Sequence, residues 1–407
     1  MSKIEDLIQQ YCPDGVVYKP LWSLTAWDKK FNGIDKFKQQ KIVKYNYLLA
    51  SDLKSYQVDD GSVKLLTTNI SNLYTTEELA DGLESNGEVV AIPWGGNPIV
   101  QYYKGKFLTA DNRIATSLDI NILNNKYLYY WLLSQIKLIS SFYRGSGIKH
   151  PEMAKILDLE IPVPPLPVQE EIVRILDNFT TLEAELEAEL DCRKRQYEYY
   201  RDKLLNKSKS ENEYKRVKLG EIGRVCMCKR VLKEQTTKIG DIPFYKIGTF
   251  GKEADAFISK ELYEDYKSKY SFPKKGDVLI SASGTIGRSV IYDGKPAYYQ
   301  DSNIVWIEND ESKALNKWLF YCYQMSPWKV STGGTISRLY NDNIANAEIP
   351  LPPLAVQERI VNVLDNFEQL CNDLGIGLPA EIAARRKQYE YYRNKLLSFT
   401  PPPLRNN

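Results

Sequence analysis

Three stretches of this 407-residue chain carry residue types that could do covalent or metal chemistry, and none completes a reactive set. Cys226-Met227-Cys228 has the spacing of half a metal site. The other cysteines, at 12, 192, 322 and 371, form no second pair, and His150 is the only histidine. The bland reading is reduced, partly buried thiols, and one histidine also removes multi-histidine metal chemistry and disfavours a Ser-His-Asp hydrolase. Gly284-Thr285-Ile286-Gly287-Arg288-Ser289 has the glycines of a phosphate cradle but not the lysine of a Walker loop, so it reads as a turn. Glu183, Glu185, Glu187 and Glu189 alternate along a helix and therefore spread over its solvated faces instead of converging. Neither a glycine-rich methyl-donor loop nor an Asn-Pro-Pro-Tyr-like tetrapeptide occurs. What remains are residues that bind.

The elements that must position them repeat. Ile161 to Leu205 reads IPVPPLPVQEEIVRILDNF…RKRQYEYYRDKLL, and Ile349 to Leu397 reads IPLPPLAVQERIVNVLDNF…RRKQYEYYRNKLL. A duplicated unit suits a target with two halves. Each copy opens on prolines (Pro162, Pro164, Pro165 and Pro167; Pro350, Pro352 and Pro353), which act as rigid spacers with a helix start just beyond. In the first copy apolar residues then recur at threes and fours, among them Leu182, Leu186, Leu190, Tyr197, Tyr200 and Leu204, a seam on a helix of roughly forty residues or about 60 Å. The second seam includes Leu370, Leu374, Leu378, Ile382, Tyr389, Tyr392 and Leu396. It carries an extra turn around Leu374 to Ala380, where Gly375, Gly377 and Pro379 predict a break and a restart at Pro379. The seams can pack on each other, antiparallel, or each can cover its own preceding domain. Seam length favours the first arrangement.

The long blocks between echo one another more faintly. Gly87-Glu88-Val89-Val90-Ala91-Ile92 parallels Gly276-Asp277-Val278-Leu279-Ile280-Ser281, each followed by a glycine loop. Asp111-Asn112-Arg113-Ile114 answers Asp301-Ser302-Asn303-Ile304, and an aromatic helix from Asn125 answers one from Asn316. A last glycine loop, Arg144 to His150 against Gly333 to Arg338, precedes each proline lead. The segments are therefore 1–160 and 209–348 as globular domains, 161–208 and 349–400 as helical spacers, and 401–407 as a tail.

At 43% hydrophobic and 26% charged the composition is that of an ordinary globular protein. No apolar run reaches membrane-spanning length and MSKIEDLIQQ lacks a signal-peptide plan, so the cytoplasm is expected. Net charge is only +2; residues 1–160 carry 18 basic and 18 acidic side chains, and only 209–348 leans basic, with 22 against 18. Charge alone does not nominate a polyanionic partner, and any phosphate contacts must come from local patches or a partner subunit.

With the tandem motif I-P-x-P-P-L-x-V-Q-E-x-I-V-x-x-L-D-N-F…Q-Y-E-Y-Y-R-x-K-L-L in hand, the whole chain resembles the specificity subunits of type I restriction–modification systems. The resemblance implies an α+β protein with two similar globular target recognition domains separated by two long antiparallel helical segments, a pseudo-twofold internal repeat. It implies a non-catalytic subunit that binds double-stranded DNA at a bipartite target, its gap set by the helical rod. Two methyltransferase subunits would dock on it and bring S-adenosylmethionine, and restriction and translocase subunits would complete the complex. Two other readings stay open: a protein-binding assembly scaffold without DNA readout, and a lone enzyme of unrecognised chemistry.

Arginine and lysine can hold guanine, and asparagine and glutamine can hold adenine, through paired hydrogen bonds. On that basis the base-reading candidates are Trp94, Asn97, Arg113, Arg144, Lys149 and His150 in the first domain. In the second they are Lys246, Thr285, Arg288, Asn303, Arg338 and Tyr340, with phosphate contact or plain loop structure as the alternative for each. In the repeated Gln-Tyr-Glu-Tyr-Tyr-Arg, Tyr199, Arg201, Tyr391 and Arg393 point away from the seam, either toward a partner helix or into packing of rod on rod.

Overall fold

The computed structural model describes residues 3–205, 214–329 and 338–403. The chain divides into two compact units, Met1–Leu186 with Ile382–Asn407, and Glu187–Glu381. Their boundaries fall inside the helical segments, not at the proline leads.

In the first unit a six-stranded sheet runs in the order Thr25–Trp27, Asn112–Ser117, Ser85–Pro93, Gln101–Thr109, Val63–Leu66, Tyr74–Thr75. Ser85–Pro93 and Gln101–Thr109 form an antiparallel hairpin, and Val63–Leu66 joins in parallel. Val89–Ile92 is buried on both faces, which is why the run reads as continuously apolar. Helix Asn125–Ser134 starts where the Asn124 side chain accepts the N–H groups of Lys126 and Tyr127, and it sinks Tyr127, Leu128, Tyr130 and Trp131 into the core.

The second unit repeats this plan in two smaller sheets. One is ordered Val225–Met227, Ile304–Ile307, Val278–Ser281, Ser289–Ile291; the other is Phe257–Ile258, Ile242–Tyr245, Tyr298–Tyr299. Helix Asn316–Gln324 covers the first with Trp318, Leu319 and Tyr321. Both domains close with the same antiparallel pair just before the proline lead, Tyr18 opposite Pro162 and Arg216 opposite Pro350.

The register corrects one sequence equivalence. Ile92 faces Arg113 but Ser281 faces Ile304, and the residues with left-handed backbone are Asp111 (φ +46°) and Ser302 (φ +52°). Asn112 therefore matches Asn303 and Arg113 matches Ile304, a slip of one residue that exchanges faces along a strand.

The first helical segment is a single helix, Leu166–Leu205, with Pro167 tolerated in its opening turn. The second is two helices, Leu354–Asn372 and Leu378–Leu396. At the break the Asp373 carboxylate accepts the N–H groups of Gly375 and Ile376. A Cβ on Gly377 would stand 2.6 Å from the Gln369 carbonyl oxygen, so only glycine fits there.

Both arrangements open to the seams occur, on different faces. Val168, Ile172 and Leu176 enter the core of the first domain, and Ile360, Val361 and Leu364 enter that of the second. The helix pairs form alongside. In the first unit Phe179 stacks on Tyr392 at 5.5 Å and Tyr389 and Leu396 join the core. In the second, Tyr200 lies 6.2 Å from Phe367, and Tyr197 and Leu204 join the core. Within each unit the pairing is antiparallel: Phe179 then Glu183 meet Tyr392 then Arg386. Leu182, Leu186, Leu190 and Leu378 are half-buried and Ile382 is buried. Leu370 and Leu374 leave the seam; Leu374, at the break, is 84% exposed.

The repeated glutamine and aspartate anchor each segment to its own domain. Buried Gln169 donates to the carbonyls of Ile122 (2.8 Å) and Pro164 (2.7 Å) and accepts from the Asn124 N–H (2.9 Å). Gln357 does the same with Lys313 (2.9 Å), Pro352 (2.8 Å) and the Leu315 N–H (2.9 Å). Asp177 accepts from the Tyr130 hydroxyl (2.6 Å) and Lys126 (2.8 Å), and Asp365 accepts from the Tyr321 hydroxyl and Lys317 (2.8 Å).

Candidate nucleic-acid interface

In the first domain two loops named from the sequence come together at one end of the central hairpin. The N–H of Gly96 donates to the Lys149 carbonyl (3.0 Å) and His150 Nδ1 lies 2.7 Å from the Trp94 carbonyl oxygen. The His150 ring sits 5.3 Å from that of Trp94. Asn97, Arg144, Lys149 and His150 are exposed on this surface, with Arg144 3.7 Å from Glu152.

Arg113 is not on that surface. It is 6% exposed, and its Nη1 donates to Asp28 at 2.8 Å while the other Asp28 oxygen accepts the Ile114 N–H at 3.1 Å. Its guanidinium lies 4.7 Å from the Trp94 ring centroid. It is held beneath Trp94, and a buried pair of this kind offers a base no free fork. Burial, with Asp28 close by, also raises the Tyr47 phenol well above its ordinary value. Asp28, Lys29 and Lys30, which the sequence reading missed, follow the edge strand Thr25–Trp27. Lys29 Nζ is 5.3 Å from the Trp94 ring centroid, and Lys29, Lys30, Asn32 and Trp94 line a cleft of about 390 Å³.

In the second domain the loop after Val278–Ser281 is tied to the neighbouring turn by a Ser283-to-Asn303 side-chain bond (2.8 Å), and Leu339 N–H donates to the Ala282 carbonyl (2.8 Å). Gly287, at φ +82°, passes under Trp328. Arg338 donates to the Ser302 carbonyl (2.6 Å), Arg288 to that of Phe250 (2.9 Å), and Lys246 pairs with Asp255 (2.8 Å). These three cations buttress loops. Thr285 and Tyr340 are exposed beside them, and residues 333–337 of the glycine loop lie outside the described residues. Cys226 and Cys228 are buried and both thiols are pushed up by that burial, Cys228 to about 12, which makes them poor nucleophiles and ligands. Among the described residues no three His, Cys, Asp or Glu side chains converge into a metal-sized group.

The two Gln-Tyr-Glu-Tyr-Tyr-Arg copies have matching geometry. Tyr199 and Tyr200 meet edge-on at 5.3 Å, and so do Tyr391 and Tyr392 at 5.3 Å. Arg201 lies 5.7 Å from the Tyr197 ring and Arg393 5.4 Å from that of Tyr389. Tyr199 and Tyr391 are 59% and 61% exposed, so neither fills a seam in this chain.

Two domains of one architecture, each carrying exposed loops and a helix pair, have the plan of a duplicated recognition subunit. The type I restriction modification DNA specificity domain matches residues 42–191 and again 211–384, and the chain belongs to that family. It is a non-catalytic specificity subunit of a multi-subunit system. A putative type I restriction enzyme specificity subunit of Haemophilus influenzae is 49% identical over 80% of this chain and 86% of its own length. A type I restriction enzyme specificity subunit of Escherichia coli is 35% identical over 72% and 76%. The crystal structure of a type I S subunit from M. genitalium has the same fold, with a TM-score of 0.56 at 16% identity, covering 94% of this chain and 96% of that one. Among the described residues no helix is long and apolar enough to cross a membrane.

Proposed function

We propose that each domain reads one half of a bipartite DNA target, with the unread gap set by the helical segments. The observation that carries this is the internal symmetry: one domain plan twice, each with exposed loops of different sequence at the same strand ends. Different loops on one scaffold are what reading two different half-sites requires. The matched exposed tyrosines Tyr199 and Tyr391, each followed two residues on by a half-buried arginine, Arg201 and Arg393, support docking of two identical partners, which we assign to methyltransferase subunits that bring S-adenosylmethionine and methylate adenine. Restriction and translocase subunits would join the same cytoplasmic complex.

The test is a survey of modified adenines in cells expressing this chain with its methyltransferase partner. A two-part motif is expected, and deletion of the extra turn at Leu374–Leu378 should shorten the preferred gap, by up to roughly one and a half base pairs, while both halves stay the same. A motif without a gap, or a spacing indifferent to the deletion, would overturn the ruler. Copurification with the partner should fail when Arg201 and Arg393 are both replaced by alanine.

A further inference from the structure

The near-neutral charge of the chain leaves open which groups hold the DNA backbone, since cations already tied to carboxylates or carbonyls contribute little to it. Arg113, Lys246, Arg288 and Arg338 are all engaged within the protein. The duplicated architecture offers, in each domain, a pair of cations that are not. In the first domain the edge strand Thr25–Trp27 pairs with Asn112–Ser117 and is followed by Lys29 and Lys30. In the second domain the corresponding edge strand Val225–Met227 pairs with Ile304–Ile307 and is followed by Lys229 and Arg230, one register position further along than Lys29 and Lys30. All four side chains are exposed, and among the described residues none has a carboxylate within ion-pair distance. Each pair also rests on an aromatic ring: Lys29 Nζ lies 5.3 Å from the Trp94 centroid and Lys229 Nζ 5.0 Å from that of Tyr270.

The backbone beneath both pairs is fixed. Asp28 N–H donates to the Ile114 carbonyl at 2.9 Å, and its buried carboxylate is bound to Arg113. The Lys229 carbonyl accepts the Tyr298 hydroxyl at 3.1 Å. In the first domain the pair stands beside Trp94 and His150, so a duplex lying on those loops brings a phosphate within reach of it.

We infer that the two-residue cation pairs after the equivalent edge strands, Lys29-Lys30 and Lys229-Arg230, are the phosphate anchors of the two domains. They set affinity and register while the neighbouring loops choose the bases. The division follows from chemistry: a lysine on a flexible stem is a point charge suited to phosphate, and phosphate contacts position without specifying. This deepens the proposed DNA-reading role and rests on it.

The experiment uses the full chain copurified with its methyltransferase partner and measures binding across a salt series. One duplex carries the sequence found methylated in cells and another of equal length is scrambled. If the unaltered complex fails to prefer the first duplex, the reading role itself fails, whatever the variants do. Given that preference, Lys29→Ala/Lys30→Ala and Lys229→Ala/Arg230→Ala should each weaken binding to both duplexes by about tenfold and lower the slope of log K against log salt by about 2. The methylated motif should stay the same. Unchanged affinity and slope would overturn the inference. So would a changed base preference within one half of the motif, which would make the pair a base reader.

Discussion

Gln169 and Gln357 show how much one side chain can organise. Each is buried and ties a proline lead, the start of a long helix and the loop before an aromatic helix to one amide. Replacing Gln357 by alanine leaves two carbonyls and an N–H without partners, and we expect a loss of about 2–4 kcal/mol in denaturant unfolding. Glu171 gives a pH signature. Arg174 and Lys3 bind its carboxylate and hold it down to about 2, below its unfolded value of roughly 4.3. Its contribution is therefore complete above about pH 5 and is lost as pH falls toward 2. Glu171→Gln should flatten that part of the stability–pH curve, and a curve of unaltered slope would refute the assignment. The glutamines and Asp177 and Asp365 were in plain view as invariant letters of the repeat, but no spacing rule says what a repeated polar residue touches. Arg113 was misread for a related reason: its partner Asp28 stands 85 residues earlier, and nothing local signals the pair.

At the scale of elements, periodicity located the helices well and their contact faces poorly. The repeat of threes and fours was real, but each helical segment has two apolar users, its own domain and the opposing helix. A single stripe cannot show where one hands over to the other. Leu364 belongs to the domain-facing set and is fully buried, whereas Leu374 at the break is not. Leu364→Ala should cost about 2–5 kcal/mol, and Leu374→Ala should stay within about 0.5 kcal/mol. Equal costs in thermal or denaturant unfolding would mean that Leu374 is covered in solution. The break itself was legible because Gly375, Gly377 and Pro379 are poor helix formers, and the structure adds that Gly377 is required by the approach of the Gln369 carbonyl.

For the whole molecule, the duplication, the α+β class and the family were readable from the chain, because the repeat preserves its helical letters almost unchanged. What sequence order could not show is that the first compact unit borrows from a distant part of the chain, whereas the second is one continuous stretch, Glu187–Glu381. The first takes Ile382–Asn407, and its core contains Leu397 with Tyr389, Leu396 and Phe399 packed against it. A chain stopped after Glu381 should keep the second unit and lose cooperative melting of the first, which calorimetry or limited proteolysis would detect as selective weakening of residues 3–186. Equal protection of both units would contradict that.

The clasp that completes the first unit joins chain segments at opposite ends: the Val16 N–H donates to the Thr400 carbonyl at 2.9 Å, and the Tyr18 hydroxyl donates to that of Phe399 at 2.8 Å. On a ribosome, where residues emerge in order, the first unit must wait for the segment beginning at Ile382 before it can shut, while the second finds all of its own stretch, Glu187–Glu381, already extruded. The unit synthesised later therefore closes earlier, and residues 3–186 are the part that a chaperone would have to shield for longer.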